Sequence, residues 1–453
     1  MPARFGLGLG LGLGLLVAAC GGDDGGDDTP DAPVAILPTA NPARELVDTK
    51  LAYDVSALSA TATITFAPSA EPGATLEVGD LTIDSVTLDA APLAFAAVTA
   101  PGAMLHANDH TIDLALPASE APLVVTVAFH YKHHAGFEGA AAAGFTLVWP
   151  YHCGNLFPCH SRPDDGLTIS LELTGVPAGK MAVYPPVLTE APSYQIAWSI
   201  DAYTELPLGT TTAGTSVSMW YRPTELTAAT TGGTHLRAVF DWLEKNIGPY
   251  RFGTRVGTVS VRWGAGALGG MEHHPMWHIS SSALADHETN AHEAAHGWFG
   301  DGIRVACWED FVLSEGTVTY LAGRALDVVA PSVGATVWAG YATELNGISA
   351  TAKVWPQSCN AIDIIDDDLF TNAPYIRGAF FYRAVALKLG AGELGAGMLD
   401  LALKAFYTAH AGKAAHMSDM LDTIKSVTGY DPTTCADMWL KSTTKPVANT
   451  PCP

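Results

Sequence analysis

The apolar positions along this chain fall into two textures that change over near Pro223. From about residue 46 to 223, short runs alternate apolar and polar side chains and are broken by Gly, Pro, Asn and Asp: ATITFAP, HTIDLALP, LVVTVAFHY, LTISLEL, YQIAWSI and SVSMWY. A period of two with turn residues at this spacing predicts strands that bury one face, and hence an all-β sandwich. Beyond Pro223, LRAVFDWLEKNIG places apolar residues at helical spacing and stops at a glycine, VGTVSVRW returns to a strand, and helical segments then dominate. The expectation is a β-sandwich domain over 46–223 followed by a mixed α/β domain over 224–453.

The first 45 residues fit neither texture. Arg4 is followed by an apolar, Gly/Leu-rich run from Phe5 to Ala19, and small residues precede Cys20. The run is short for a membrane span, and its ending resembles a bacterial lipoprotein signal over 1–20 in which Cys20 becomes the lipidated first residue. An ordinary secretory signal and an uncleaved anchor are the alternatives. Residues 21–45, with GGDDGGDDTPDAP, bury no core and read as an acidic, self-repelling linker. This predicts an exported protein of the cell envelope, held to a membrane through its N-terminus.

Composition narrows the partners. With 48% hydrophobic and 15% charged residues in 453, the chain reads as well-buried units, and a formal charge of -23 without any Lys/Arg cluster excludes a nucleic-acid partner. Besides Cys20 there are Cys153, Cys159, Cys307, Cys359, Cys435 and Cys452. An even number in an exported chain predicts disulfides; six allow 15 connectivities, of which Cys153–Cys159, Cys307–Cys359 and Cys435–Cys452 is the pairing of nearest neighbours. No C-x-x-C is present, which disfavours a cysteine zinc site.

The chemistry concentrates in HETNAHEAAHGWFGD and the following ACWEDFVLSEGTVTY. His292 and His296 are four apart, so on a helix both imidazoles leave one face and reach one ion. Glu293, not needed for ligation, is placed to take a proton from water, the division of labour in H-E-x-x-H hydrolases. A catalytic zinc needs a third protein ligand, and Glu315, with 18 residues between it and His296, lies in a run that predicts a second helix. His273, His274, His278 and His287 crowd the approach and read as a pocket wall or solvated turn.

In their order these segments resemble the aminopeptidase N family of gluzincin zinc metallopeptidases, over residues from about 46 to the C-terminus. GGMEH at Gly269–His273 is similar to the family's G-A-M-E-N loop, HEAAHGWFGD to its H-E-L-A-H-Q-W-F-G-N, LSEG to its L-N-E-G, and PYIRGA at Pro374–Ala379 to its P-Y-x-K-G-A. Upstream, FPC at Phe157–Cys159 resembles the family's F-P-C in the N-terminal β domain. The resemblance implies a thermolysin-like catalytic domain, one zinc held by His292, His296 and Glu315, a peptide substrate lying along Gly269, Gly270 and Met271, an ammonium site at Glu272, and oxyanion stabilisation by Tyr375. It also implies removal of N-terminal residues, with internal cleavage, a non-peptide substrate, or a silent surface-binding lipoprotein as rivals.

The departures bear on substrate recognition. The family's second amine-binding residue falls near Leu147, the loop ends in His273, and Asp301 replaces an asparagine. Tyr151, His152 and His273 are candidates to assist Glu272. Only CADMWLKSTTKPVANTPCP follows the catalytic helices, where the family continues into a helical domain, so a more open cleft is expected.

Overall fold

The structure, a computed structural model, describes residues 36–100, 106–264, 268–359 and 362–453. The lipoprotein signal expected over 1–20, with Cys20, and the expected linker up to residue 35 lie outside the described residues. Where the sequence alternates most regularly the strands follow it: Ser59–Phe66 buries every second residue, turning Ala60, Ala62, Ile64 and Phe66 inward. It sits near the middle of a seven-stranded sheet in the order Val187–Ala191, Leu167–Thr174, Leu46–Asp54, Ser59–Phe66, Leu123–His130, Thr82–Leu88, Ala91–Pro92. Leu46–Asp54 pairs parallel with Leu167–Thr174 and antiparallel with Ser59–Phe66. A three-stranded sheet of Ala74–Glu77, His110–Leu114 and Phe95–Thr99 adds Leu76, Ile112 and Leu114 to the same buried cluster.

YQIAWSI departs from the expected strand. Ser193–Gln195 is a single 3-10 turn behind Pro192, and only Ser199–Asp201 is extended. Residues 191–201 are buried without alternation, so both sides of this segment face protein and no half-buried strand period applies.

A second, five-stranded sheet runs Thr204–Thr210, Ser216–Tyr221, Arg255–Val261, His278–Ser280, Gly270–Met271. Its first two strands lie upstream of the division expected at 223, and Ser216–Tyr221 pairs parallel with Arg255–Val261. SVSMWY therefore joins the five-stranded sheet and not the seven-stranded one, because a parallel partner across a helical crossover cannot be read from a strand's own period.

Helices follow in the order α1 Leu226–Gly233, α2 Leu236–Asn246, α3 His287–Ala295, α4 Phe311–Val329, α5 Pro331–Gly347, α6 Asn372–Leu389, α7 Glu393–His410 and α8 Met417–Thr428. On α2 the stripe Leu236, Val239, Phe240, Trp242 and Leu243 is buried. Asp286 caps α3, its carboxylate accepting from Thr289 N at 2.7 Å, and Thr371 caps α6. Where α4 meets α6 the backbones touch: a Cβ built on Gly316 would lie 2.8 Å from Gly378 Cα.

The strand-rich region followed by a mixed helical region is the fold class expected. Disulfides join Cys153 to Cys159, Cys307 to Cys359 and Cys435 to Cys452, the nearest-neighbour pairing. No described helix is long and apolar enough to cross a membrane.

Candidate metal centre and cavity

α3 presents His292 and His296 one turn apart, and α4 brings Glu315 against them. His292 Nε2 lies 3.2 Å from Glu315 Oε2 and 3.2 Å from His296 Nε2, which is itself 3.4 Å from Glu315 Oε2. All three side chains are buried, with 9%, 1% and 4% of their residue surfaces exposed. Ligands arranged tetrahedrally about 2.0–2.1 Å from zinc stand about 3.3 Å apart, so this triangle of two nitrogens and one oxygen fits that ion.

The far side of each imidazole fixes its tautomer. His296 Nδ1 is 3.0 Å from Phe299 O, which only accepts, so Nδ1 carries the proton and Nε2 keeps its lone pair for a ligand role. His292 Nδ1 faces Thr319 Oγ1 at 3.4 Å and Glu288 Oε1 at 4.0 Å.

Glu293 turns into the same space. Its Oε2 is buried without a hydrogen-bond partner among the described residues, and atoms of Glu272, Glu293 and His296 come within 4.8 Å of one another. Burial pushes the Glu293 carboxyl well above the usual range; His296 opposes this, and the Glu272, Glu315 and Glu288 charges reinforce it. The Glu293 backbone carbonyl accepts from His274 Nε2 at 2.7 Å, and His274 Nδ1 accepts from the Tyr250 hydroxyl at 2.8 Å. Burial drives the His274 imidazole down to about 3, so it stays neutral in that relay.

Edge strand Gly270–Met271 brings the loop to Glu293. A Cβ on Gly270 would stand 2.3 Å from Glu293 Oε1, so glycine, where the resembled loop has alanine, lets that carboxylate rest against the strand. Tyr375, in the first turn of α6, stacks on His292 with ring centroids 5.8 Å apart at 18°. Desolvation, then the charges of Glu315, Glu272 and Glu293, hold its phenol well above the usual range and keep it a proton donor.

A cavity of about 470 Å³ joins these parts, its wall including Gly269, Gly270, Met271, Glu272, His292, Glu293, His296, Glu315 and Tyr375. All the site residues expected from the sequence, Cys20 apart, meet there. The residues proposed to assist Glu272 do not. Tyr151 accepts from Ile364 N at 3.1 Å and His273 Nδ1 contacts His278 Nδ1 at 3.1 Å; neither of them, nor His152, lines the cavity, and Leu147, near which the resemblance puts the second amine-binding residue, is buried outside it in the strand Thr146–Leu147. His273, His274 and His278 are core residues, 0–1% exposed. Sequence reasoning missed Trp149, Glu288, Tyr341 and Glu344 in the wall. Of these only Glu288 carried a legible sign, standing one helical turn before His292.

An H-E-x-x-H helix completed by a glutamate from the next helix, behind a strand-rich region, is the arrangement expected from the resemblance to gluzincin metallopeptidases. Residues 270–439 match the Peptidase family M1 domain. It is 24% identical over 312 residues to leucine aminopeptidase 2 of Neosartorya fischeri, covering 62% of this chain and 48% of that one. With aminopeptidase N of Streptomyces lividans it shares 28% over 160 residues, 34% of this chain and 18% of that one. The chain thus spans about half, or less, of the length of these relatives. The fold is similar to the M1 zinc metallopeptidase of Deinococcus radiodurans, with a TM-score of 0.73 at 17% identity over 92% of this chain and 99% of that one. Yeast LTA4 hydrolase gives 0.71 at 17%, over 89% of this chain and 68% of that one.

Proposed function

We propose that this chain is a zinc-dependent aminopeptidase that removes N-terminal residues from peptides. The observation that carries the reading is the meeting, in one cavity, of the His292–His296–Glu315 triangle, the unpartnered Glu293 Oε2, Glu272 and Tyr375. His292 Nε2, His296 Nε2 and Glu315 Oε2 would hold one zinc per chain. When bound, zinc polarises a carbonyl and brings the pKa of water towards about 7.

Glu272 accepts from the substrate's ammonium, fixing the first residue, while Gly269, Gly270 and Met271 flank the backbone. Glu293 Oε2 takes a proton from the attacking water as the C–O bond forms, then returns it to the nitrogen as the C–N bond breaks. The Tyr375 hydroxyl donates to the carbonyl oxygen as charge develops there. An endopeptidase reading draws on the apolar Leu147, which leaves Glu272 as the sole carboxylate assigned to the amine.

One experiment separates them: an alanyl reporter and its N-acetylated form, offered to the zinc-loaded protein and to Glu293→Gln. The free-amine substrate should be cleaved and the acetylated one spared, and Glu293→Gln should retain zinc while turnover falls on the order of 100-fold to 10,000-fold. Equal cleavage of both reporters sinks the aminopeptidase reading in favour of the endopeptidase one; undiminished turnover in Glu293→Gln sinks the mechanism.

The proposal extends to the N-terminus, where the lipobox-like run supports lipidation at Cys20 and attachment to the outside of a cell-envelope membrane. Cys20→Ser should then move the protein from the membrane fraction to the soluble one; a wild-type protein already soluble and unmodified at Cys20 rules this out.

A further inference from the structure

The cavity holds more carboxylate than the proposed reaction uses. Among the described residues five glutamates line it, Glu272, Glu288, Glu293, Glu315 and Glu344, and no lysine or arginine does. Three of them have roles above; Glu288 and Glu344 have none.

Neither of these two carries a matching cation. Glu288, in the first turn of α3, accepts from the Tyr341 hydroxyl at 2.6 Å, and its basic neighbour is His292 at 4.0 Å. Glu344, on α5, accepts from Asn372 Nδ2 at 3.3 Å. Among the described residues no lysine or arginine is ion-paired with either. Burial and then the Glu288 charge push the Glu344 carboxyl above its usual range, as expected of like charges sharing a half-enclosed space. A cation placed between them relieves both.

Their position along α3 gives the cation an address. Glu288, His292 and His296 follow one another at intervals of four, so they form a row on one helix face, about 6 Å apart along the axis. Glu272 belongs to the His296 end, its carboxylate within 4.8 Å of both His296 and Glu293. Glu288 stands at the other end, past His292. With the substrate's ammonium on Glu272 and its scissile carbonyl at the His–His–Glu triangle, the chain beyond the scissile bond runs over His292 towards Glu288 and Glu344. A further sign that this space takes a polar ligand is Glu293 Oε2, which has no hydrogen-bond partner among the described residues, on a residue only 5% exposed that lines the same cavity.

We propose that Glu288 and Glu344 form a subsite for a lysine or arginine side chain in the residue following the scissile bond, so that peptides with a basic second residue are favoured. The subsite rests on the aminopeptidase reading for its place in the substrate. Its chemistry is that of carboxylates paired with a hydroxyl and an amide, accepting from an ammonium or a guanidinium. Thr289, Thr371 and Asn372 complete a polar wall on that side.

The test uses zinc-loaded Glu293→Gln, in which binding is read without turnover, and two tripeptides, Ala-Lys-Ala and Ala-norleucine-Ala, which share a four-carbon stem and differ in charge. Calorimetry should find the lysine peptide bound about 10-fold more tightly at low salt. The preference should collapse when Glu344→Gln is added, and likewise with Glu288→Gln; zinc content measured on each variant shows that the metal site persists. Equal binding of the two peptides, no measurable binding of either, or a lysine preference that survives both substitutions overturns the subsite. Failure of the unsubstituted zinc enzyme to release alanine from either peptide, with the binding preference and its loss intact, overturns the aminopeptidase reading and leaves the cation site standing.

Discussion

Glu77 ends the strand Ala74–Glu77 against the Cys153–Cys159 loop, where its backbone pairs with Cys159 and its Oε1 accepts from Ser161 N at 3.1 Å. Burial outweighs these contacts and raises its carboxyl from 4.5 to about 7. The unfolded chain releases that proton at its ordinary value while the native state still holds it, so between the two values the native state binds more protons. Stability therefore falls as pH rises through that window. Between about pH 5 and about pH 8, urea unfolding should show a loss larger in the wild type than in Glu77→Gln by an amount on the order of 2–3 kcal/mol. Nearby His160 is also raised, desolvation being outweighed by its bonds to Asp165 and the Thr75 carbonyl, and adds a slope of the same sign. A wild-type stability that rises over this range contradicts the assignment. Residues differ in how far sequence alone reveals them. His292, Glu293 and His296 are legible because helix geometry converts their spacing into one face, and Glu315 because a second helix at the right remove completes a ligand set. Glu344 is not legible: its place beside Glu288 depends on how α5 packs, with Tyr341 reaching Glu288 and Asn372 reaching Glu344.

Between elements, the contact that sets the site is the crossing of α4 and α6, which carry Glu315 and Tyr375. A Cβ on Gly378 would fall 2.5 Å from Gly316 Cα and 2.8 Å from Val312 Cγ2, so backbone must move to admit it. Gly378→Ala is expected to cost about 1–3 kcal/mol in urea unfolding, as overpacking does. By spreading the two helices it should also lower kcat on an alanyl reporter by about 10-fold with zinc still bound, since a displacement near 1 Å misaligns the phenol with the reacting carbonyl. An unchanged kcat would show that Tyr375 keeps its place independently of the crossing. Element by element, the sequence is readable where burial is one-sided, as in Ser59–Phe66 and α2. It misleads where a segment is enclosed on both sides, as in Ser193–Gln195, or where a strand's partner comes from across a helix, as in Ser216–Tyr221.

At the scale of the molecule, the strand-rich region and the mixed helical region share one buried cluster within the unit Leu37–Pro453, and the boundary expected at 223 cuts through the five-stranded sheet. Arg304 shows how tightly the two regions are sewn together. Its guanidinium, 5% exposed, donates through Nε to Asp164 O at 3.2 Å, and through Nη1 to Glu190 O and to Gly412 O, the last at 3.3 Å. Two of those carbonyls belong to the β region and one to the turn after α7, beside which Arg304–Val305 pairs with Ala414–Ala415. Gly166 leaves room for the fork, since a Cβ there would lie 2.1 Å from Arg304 Cζ. Removing the side chain takes the donor from three part-buried carbonyls at once, and bonds to a charged donor count for more than neutral ones, so Arg304→Ala should lose about 3 kcal/mol. Lysine, a point charge without the planar fork, should recover less than half of it. Followed by tryptophan fluorescence and by far-UV circular dichroism, wild type should unfold in one transition with coincident midpoints, and Arg304→Ala should shift that midpoint without splitting it. Two separated transitions in the wild type would mean that the regions fold independently and that the shared sheet and Arg304 couple them only weakly.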